Sequence, residues 1–331
     1  MDETRSFSIA GSGTYLPRRE VSASELDEMT GQADGTTAER FGVVKRHWAG
    51  QDETSSYMGA VAAQRALDEA CWDPSSLDVI IGACGVMEQP IPGTSLLIQR
   101  RLGLGDSGIT CFDVNATCLS FLQAFDRALA GFALGEWRRA LVFSADIASA
   151  ALDFSEPEAS VLFGDGAAAF ALEADGPHQR VAHSFCSYAD ASDACKLEVG
   201  GTRLRPSDDL EDFLNRAKFQ MDGPEVFRAT SRRFPGFLQE LLSNAGTSVE
   251  ELTLVVPHQA SAAALEHLKR CLADGHRKTI DIFANIGNQI ATSMPFALHH
   301  ARMDKRLRPG EQTLLIGSSA GVSLGGSVIQ W

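Results

Sequence analysis

The sequence predicts a layered α/β protein made of two similar halves. Two observations carry that expectation: short strand-like apolar runs alternate with helical ones, and the second half of the chain repeats the order of the first. In the first half, LDVIIGAC (77–84) reads as a strand, followed by a helix near 94–102 and the strand CFDVNA (111–116). A helix from 118 to about 134 and the strand RALVFSAD (139–146) complete it. The second half offers LTLVVPH (252–258), a helix from about 260 to 272, TIDIFAN (279–285), a helix from about 288 to 303, and QTLLIGSS (312–319). ASVLFGDGAAAFALE (159–173) closes the first half as AGVSLGGSVIQW (320–331) closes the second, each a Gly-rich turn running into an apolar strand.

Duplication of this kind implies halves packed face to face, with the equivalent helix of each meeting near a pseudo-twofold axis. Cys118 and Asn288 are then expected at matching places, each after a strand and at the start of a helix. The stretch from about 183 to 222 has few periodic apolar residues and reads as an excursion or cap that walls a pocket. The expected boundaries are 1–175 for the first half, 176–222 for the connecting segment and 223–331 for the second half.

Composition narrows the function. Of 331 residues, 44% are hydrophobic and 22% charged, enough for a sizeable core. The net charge of −14 argues against nucleic acid, because phosphate contacts need a surplus of Lys and Arg. No apolar run approaches the ~20 residues needed to cross a bilayer, and the acidic start MDETRSFSIAG lacks signal-peptide character, so a cytoplasmic protein without membrane attachment is expected. The seven cysteines are scattered, with no Cys-x-x-Cys pair and no His cluster at zinc spacing; neither disulfides nor a metal is indicated.

Three residues stand where chemistry is most accessible. Cys118, in VNATCLSF, lies between a strand and the first turn of a long apolar helix, a position where unpaired N–H groups and the helix dipole lower a thiol pKa. His258 follows LTLVVP at a strand-to-helix junction of the second half, and Asn288 in ANIGNQIATS follows another. Convergence of the three junctions supplies a nucleophile and two hydrogen-bond donors, which suits thioester chemistry.

Seven blocks in order, GSGTYLP (11–17), KRHWAGQDETSSYMGAVAAQRAL (45–67), FDVNATCLSF (112–121), FGDGAAA (163–169), GPEVF (223–227), VPHQAS (256–261) and NIGNQIATSMPFAL (285–298), resemble those of β-ketoacyl-acyl-carrier-protein synthase III. The resemblance spans about residue 7 to Trp331 and implies a thiolase-like fold, a homodimer, an acyl-CoA thioester primer, a malonyl-acyl-carrier-protein extender, and no metal or redox cofactor. By it Cys118 is the acyl-accepting nucleophile, while His258 and Asn288 hold the enolate left by decarboxylation. The backbone N–H groups of Cys118 and Ala320 form the expected oxyanion hole.

Departures from the pattern shape further expectations. Val44 stands where the family sets a CoA-binding Arg, Ala263 replaces a basic residue, and Ser318 and Ala320 alter a Gly-rich turn. Ile91 replaces the Phe that crosses the dimer interface to floor the acyl pocket, which implies a medium-chain primer. Arg228, Lys269 and Arg270 are expected to dock the acidic carrier protein, with Arg232 and Arg233 beside them. Glu88 reads as a solvated loop carboxylate; facing a partner's site it would favour a non-decarboxylating Claisen condensation. That reaction, simple acyl transfer, and a noncatalytic partner subunit are the alternatives.

Overall fold

The computed structural model describes residues 5–272 and 275–331. Nine strands form one continuous sheet: β1 Arg5–Tyr15, β2 Val79–Gly82, β3 Thr110–Asp113, β4 Arg139–Asp146, β5 Gly166–Ala174, β6 His178–Ser187, β7 Leu254–Pro257, β8 Gln312–Ser319 and β9 Ser323–Gln330. Their spatial order is β7-β8-β9-β6-β1-β5-β4-β2-β3, so the first half contributes β1-β5-β4-β2-β3 and the second repeats the pattern with β6-β9-β8-β7. The two halves join where Arg5–Phe7 of β1 pairs with His178–Arg180 of β6. This is the arrangement of two similar halves that the internal repeat predicts, and the thiolase-like fold that the resemblance implies.

Seven helices cover or separate these strands: α1 Ser55–Ala70, α2 Thr94–Arg101, α3 Ser120–Ala133, α4 Gly223–Ser231, α5 Phe234–Ala245, α6 Ala262–Cys271 and α7 Ser293–Met303. α3 is apolar on most of its circumference, with Phe121, Leu122, Ala124, Phe125, Ala128 and Leu129 all buried, and a helix of that kind must lie between layers. α7, its counterpart, buries Met294, Ala297, Leu298 and Ala301 in the same cluster. The two helices therefore form the middle layer between the halves. α1 packs on the outside of the first half, and α5 on the outside of the second. No helix among the described residues is long and apolar enough to cross a membrane.

Small residues set the spacing of the outer layer. A Cβ at Gly11 or Gly13 of β1 would overlap the carbonyl oxygens of Ala66 or Ala62 on α1, so helix and strand approach closer than any side chain allows. The alanines of β5 and the Ala62, Ala63 and Ala66 face of α1 continue the same tight seam.

Three expectations are corrected. TIDIFAN is not a strand: only Thr279 bridges to Val255, and the helix Phe283–Ile286 follows. The buried Gln259 side chain explains this, because its Nε2 donates to the Ile280 carbonyl at 3.0 Å and its Oε1 accepts from the Ile282 N–H at 3.0 Å. Backbone groups that a longer strand would pair with β7 are thereby occupied. The connecting segment also begins later than 176, since β6 is a core strand of the second half. After Ser187 the chain forms a two-residue-per-strand hairpin, Cys195–Lys196 with Gln220–Met221, and the helix Leu210–Arg216. Finally, Cys118 precedes α3 in a 3₁₀ turn, Thr117–Leu119, rather than in its first α-helical turn.

The close seam makes a direct prediction. Gly11→Ala should destabilise the fold by about 2–3 kcal/mol through overpacking against α1, read as a lowered urea midpoint with an unchanged slope. An unchanged midpoint would show that the seam relaxes freely.

Candidate active site

The 3₁₀ turns that precede α3 and α7 are copies of one another. Asn115 Oδ1 accepts from the Thr117 N–H at 2.9 Å, and Asn288 Oδ1 accepts from the Ile290 N–H at 2.9 Å. Ser120 Oγ accepts from the Ala116 N–H and Ser293 Oγ from the Gln289 N–H, both at 2.9 Å. Thr117 and Ile290 both adopt positive φ, 50° and 53°. Asn288 thus matches Asn115, and Cys118 matches Ala291, which corrects the expectation that Cys118 and Asn288 are equivalent. The functional residues occupy different positions of one duplicated turn.

Each turn is gripped by the opposite half. Asp146, the last residue of β4, accepts through Oδ1 from the N–H groups of Gly85 and Val86 at 2.8 and 2.9 Å. Its Oδ2 accepts from Thr292 N–H at 3.1 Å and Thr292 Oγ at 3.2 Å, in the turn before α7. Reciprocally, the residue after β8, Ala320, accepts through its carbonyl from Thr117 Oγ at 3.2 Å, and its N–H is directed at the Cys118 sulfur. Gly85 fits between the turns, where a Cβ would meet Ile290 and the Thr117 carbonyl.

His258 joins this arrangement from β7. Its N–H donates to the Ile316 carbonyl at 2.9 Å, which continues the parallel pairing of β7 with β8. Gly317 opposite it permits close approach: a Cβ there would lie 2.7 Å from the His258 Cβ and 3.1 Å from Leu119, the neighbour of Cys118. Asn288 Nδ2 donates to the Ala260 carbonyl at 3.3 Å, two residues beyond His258. With Oδ1 held by Ile290, the amide is fixed and its second N–H stays available. Cys118, His258, Asn288 and the Ala320 N–H are thus tied into one site.

Burial governs the charge states. Cys118 is pushed up to about 12, chiefly by burial and next by the nearby Cys195 thiol, against the lowering pull of the Ala320 and Cys118 N–H groups. The sequence expectation of a thiol lowered by a helix terminus is therefore reversed. His258 is pushed down to about 4 by burial, so its imidazole is neutral at physiological pH, and its Nδ1 has no hydrogen-bond partner among the described residues. Asp146, fully buried, is raised to about 7 by the same cause.

A cavity of about 80 Å³ opens beside His258, walled by α4 and α6 with Phe227, Thr230, Leu265 and Leu268. Arg228 on α4 and Arg270 on α6 are exposed on the two helices that form its walls. Lys269 is not: it is 9% exposed and its Nζ contacts Glu266 at 2.7 Å and Asp281 at 2.8 Å, so it is removed from the expected docking set. Glu88 is likewise not a free loop carboxylate, since its Oε2 accepts from the Ser56 N–H at 2.6 Å in the first turn of α1. Ile91 is 86% exposed. Val44 is also exposed.

Two residues of this framework escaped the sequence reading. Asp146 had one visible signal, an acid ending an otherwise apolar strand. Arg46 had none: fully buried, it donates to the carbonyls of Val161, Lys45, Phe283 and Ala284 at 2.8–3.2 Å and lies against Gly287, just before Asn288. Its guanidinium, lowered to about 9 by burial, stacks 4.6 Å from the Phe283 ring.

Comparison with known proteins agrees with this geometry. Family models described as 3-oxoacyl-[acyl-carrier-protein (ACP)] synthase III, and as its C terminal, match residues 112–191 and 242–331. A β-ketoacyl-[acyl-carrier-protein] synthase III of Rhizorhabdus wittichii is 33% identical over 323 residues, covering 98% of each chain. The crystal structure of 3-oxoacyl-[acyl-carrier-protein] synthase III from Aquifex aeolicus superimposes with a TM-score of 0.88 at 28% identity, over 98% of this chain and 100% of that one. The priming β-ketosynthase of the R1128 polyketide biosynthetic pathway superimposes equally well, with a TM-score of 0.88 at 27% identity, over 100% of this chain and 98% of that one.

The raised thiol makes a prediction for the unliganded protein. Alkylation of Cys118 by iodoacetamide, followed by peptide mass spectrometry, should rise about tenfold per pH unit between about pH 7 and 10 without a plateau. A plateau near neutral pH would mean that the helix terminus outweighs burial.

Proposed function

Because this chain belongs to the 3-oxoacyl-[acyl-carrier-protein] synthase III family and is an acyl-transferring condensing enzyme, we propose that it joins an acyl-CoA primer to malonyl-acyl-carrier protein through an acyl-Cys118 intermediate. The observation that carries the assignment is the Asn288 amide, its Oδ1 fixed by the Ile290 N–H and its Nδ2 donating to the Ala260 carbonyl two residues beyond a buried, neutral His258.

In the first half-reaction the Cys118 sulfur attacks the primer carbonyl. The carbonyl oxygen is stabilised by the N–H groups of Cys118 and Ala320, the C–S bond to CoA breaks, and the thiol proton passes to the departing sulfur. In the second half-reaction the malonyl carboxylate leaves as carbon dioxide. His258 and Asn288 donate to the enolate oxygen, the enolate carbon attacks acyl-Cys118, and the released sulfur regains a proton from solvent. A neutral His258 suits this task, because an N–H donor can support a developing oxyanion without a proton being transferred. No step requires an outside cofactor.

The substrates follow from the surroundings of the site. We assign carrier-protein docking to Arg228 and Arg270, which flank the cavity beside His258 in an otherwise acidic chain. We assign Ile91 to the acyl pocket of a second copy in a homodimer; its exposure, with Met87 and Leu96 also exposed nearby, is what an interface loop presents before its partner covers it. The smaller side chain leaves room for a medium-chain primer of about six to ten carbons, each buried methylene contributing ~0.8 kcal/mol. The non-decarboxylating alternative would need Glu88 as its base, and Glu88 Oε2 accepts the Ser56 N–H at the start of α1.

Cys118→Ala should abolish both acyl-enzyme formation, read by intact mass after incubation with acyl-CoA, and condensation; retention of condensing activity would sink the assignment. His258→Ala should cost condensation about a hundredfold or more, ~3 kcal/mol, while single-turnover acylation of Cys118 falls far less. Equal losses in the two steps would make His258 the base for Cys118 instead.

For chain length, specificity constants across acetyl- to decanoyl-CoA should peak at a medium chain, with octanoyl favoured over butanoyl by up to about two orders of magnitude. Ile91→Phe should cut the longer primers selectively. A preference for acetyl-CoA that Ile91→Phe leaves unchanged contradicts the widened pocket.

A further inference from the structure

We propose that Asp146 is a positioning residue for the condensing half-reaction, acting through the Thr292 turn to hold Asn288. The inference rests on the assignment of Asn288 to enolate stabilisation made above.

Asp146 is fully buried and its carboxylate holds groups from both halves of the molecule. Oδ1 receives two N–H groups from the loop after β2, Gly85 and Val86, and Oδ2 receives the N–H and hydroxyl of Thr292. Thr292 ends the 3₁₀ turn Ile290–Thr292, and the first N–H of that turn, from Ile290, fixes Asn288 Oδ1 at 2.9 Å. The Thr292 N–H also closes this turn on the Gln289 carbonyl at 3.0 Å. A chain of short contacts therefore runs from the Asp146 carboxylate to the orientation of the Asn288 amide. Ile290 holds positive φ, a conformation that a β-branched residue rarely adopts, so the turn needs such external support.

The duplication shows that this contact is specific to one side of the site. The position equivalent to Asp146 in the second half is Ser319, at the end of β8, and the turn opposite it is held by the Ala320 carbonyl and N–H. A carboxylate was therefore not required by the fold as such. It stands opposite the turn that carries Asn288, and its charge also reaches Cys118, where it opposes the thiolate.

Chemistry predicts how a substitution propagates. In Asp146→Asn one oxygen becomes an NH₂ donor. The Gly85 and Val86 side offers only donors, whereas the Thr292 hydroxyl can rotate to accept, so the NH₂ settles toward Thr292 and leaves the Thr292 N–H with only the Gln289 carbonyl inside its own turn. The disturbance falls on the Asn288 turn, while the loop beside Thr117 keeps its contacts.

The test is a double-mutant cycle on the full-length enzyme, with condensation and single-turnover acylation of Cys118 measured separately. Asp146→Asn should lower the condensation kcat by about ten- to a hundredfold, with the KM for the primer and the acylation rate within about threefold of the parent. Thr292→Val, which removes only the hydroxyl contact from a site of the same shape, should lower condensation by about three- to tenfold and keeps the test intact if Asp146→Asn does not fold. In an Asn288→Ala background neither substitution should cause further loss, because the residue they position is gone. Full multiplicative losses in that background, or acylation falling in step with condensation, overturn the role of Asp146 alone. Full condensing activity in Asn288→Ala by itself overturns the assignment of Asn288, and the inference with it.

Discussion

The reciprocal clasp at the centre of the molecule, in which the strand end of each half holds the 3₁₀ turn of the other, is the constraint on which the rest of the structure depends. Asp146 grips Thr292 from one side, and Ala320 grips Thr117 and Cys118 from the other. Because β4 and β8 are buried on both faces, their ends are rigid platforms rather than mobile loops. The turns they hold lead into α3 and α7, which are themselves immobilised in the middle layer. A nucleophile and an asparagine on different halves can thus keep a fixed relation without touching each other. That rigidity suits a reaction whose two half-reactions share one acyl carbonyl.

Burial, rather than backbone dipoles, is the largest influence on the ionisation of Cys118 and His258. A helix terminus contributes about 0.3–1 kcal/mol to a nearby charge, whereas desolvation of a fully enclosed group shifts its ionisation by several powers of ten. The Cys118 thiol is raised, the His258 imidazole is lowered, and both are neutral at rest. Neutral partners cost little to bury and are indifferent to salt. The site becomes polar only when a substrate carbonyl arrives to receive the donors aimed at it.

Arg46 plays a second, quieter part. It carries the only guanidinium among the largest fully buried side chains, and it spends its donors on the carbonyls of Val161, Lys45, Phe283 and Ala284 rather than on a carboxylate. Gly164 and Gly287 lie against it where no Cβ fits. The bridge of Phe163 to Asn288 is thus flanked by a buried cation that binds the carbonyls of Val161, Phe283 and Ala284 on either side of it.

Periodicity and repetition were enough for the layered architecture, because alternation of apolar runs is a local property that survives in the primary structure. RALVFSAD and QTLLIGSS are strands over the residues their patterns mark, Gly317 lies against both His258 and Leu119, and Asn288 reaches the Ala260 carbonyl. Local pattern failed where a side chain from elsewhere competed for the backbone, and there the sequence did not decide which element forms. TIDIFAN has the composition of a strand, yet Gln259 takes the hydrogen bonds that a strand needs. Lys269 reads as a surface cation until Glu266 and Asp281 enclose it, and Glu88 reads as loose until α1 presents the Ser56 N–H. Elsewhere the sequence by itself determined which elements form and which residues have the right chemistry. Only the tertiary structure decided which groups are desolvated, which turn matches which, and that Asp146 stands between them, because burial and hydrogen-bond partnership are properties of distant residues brought together and are written at no single position of the chain.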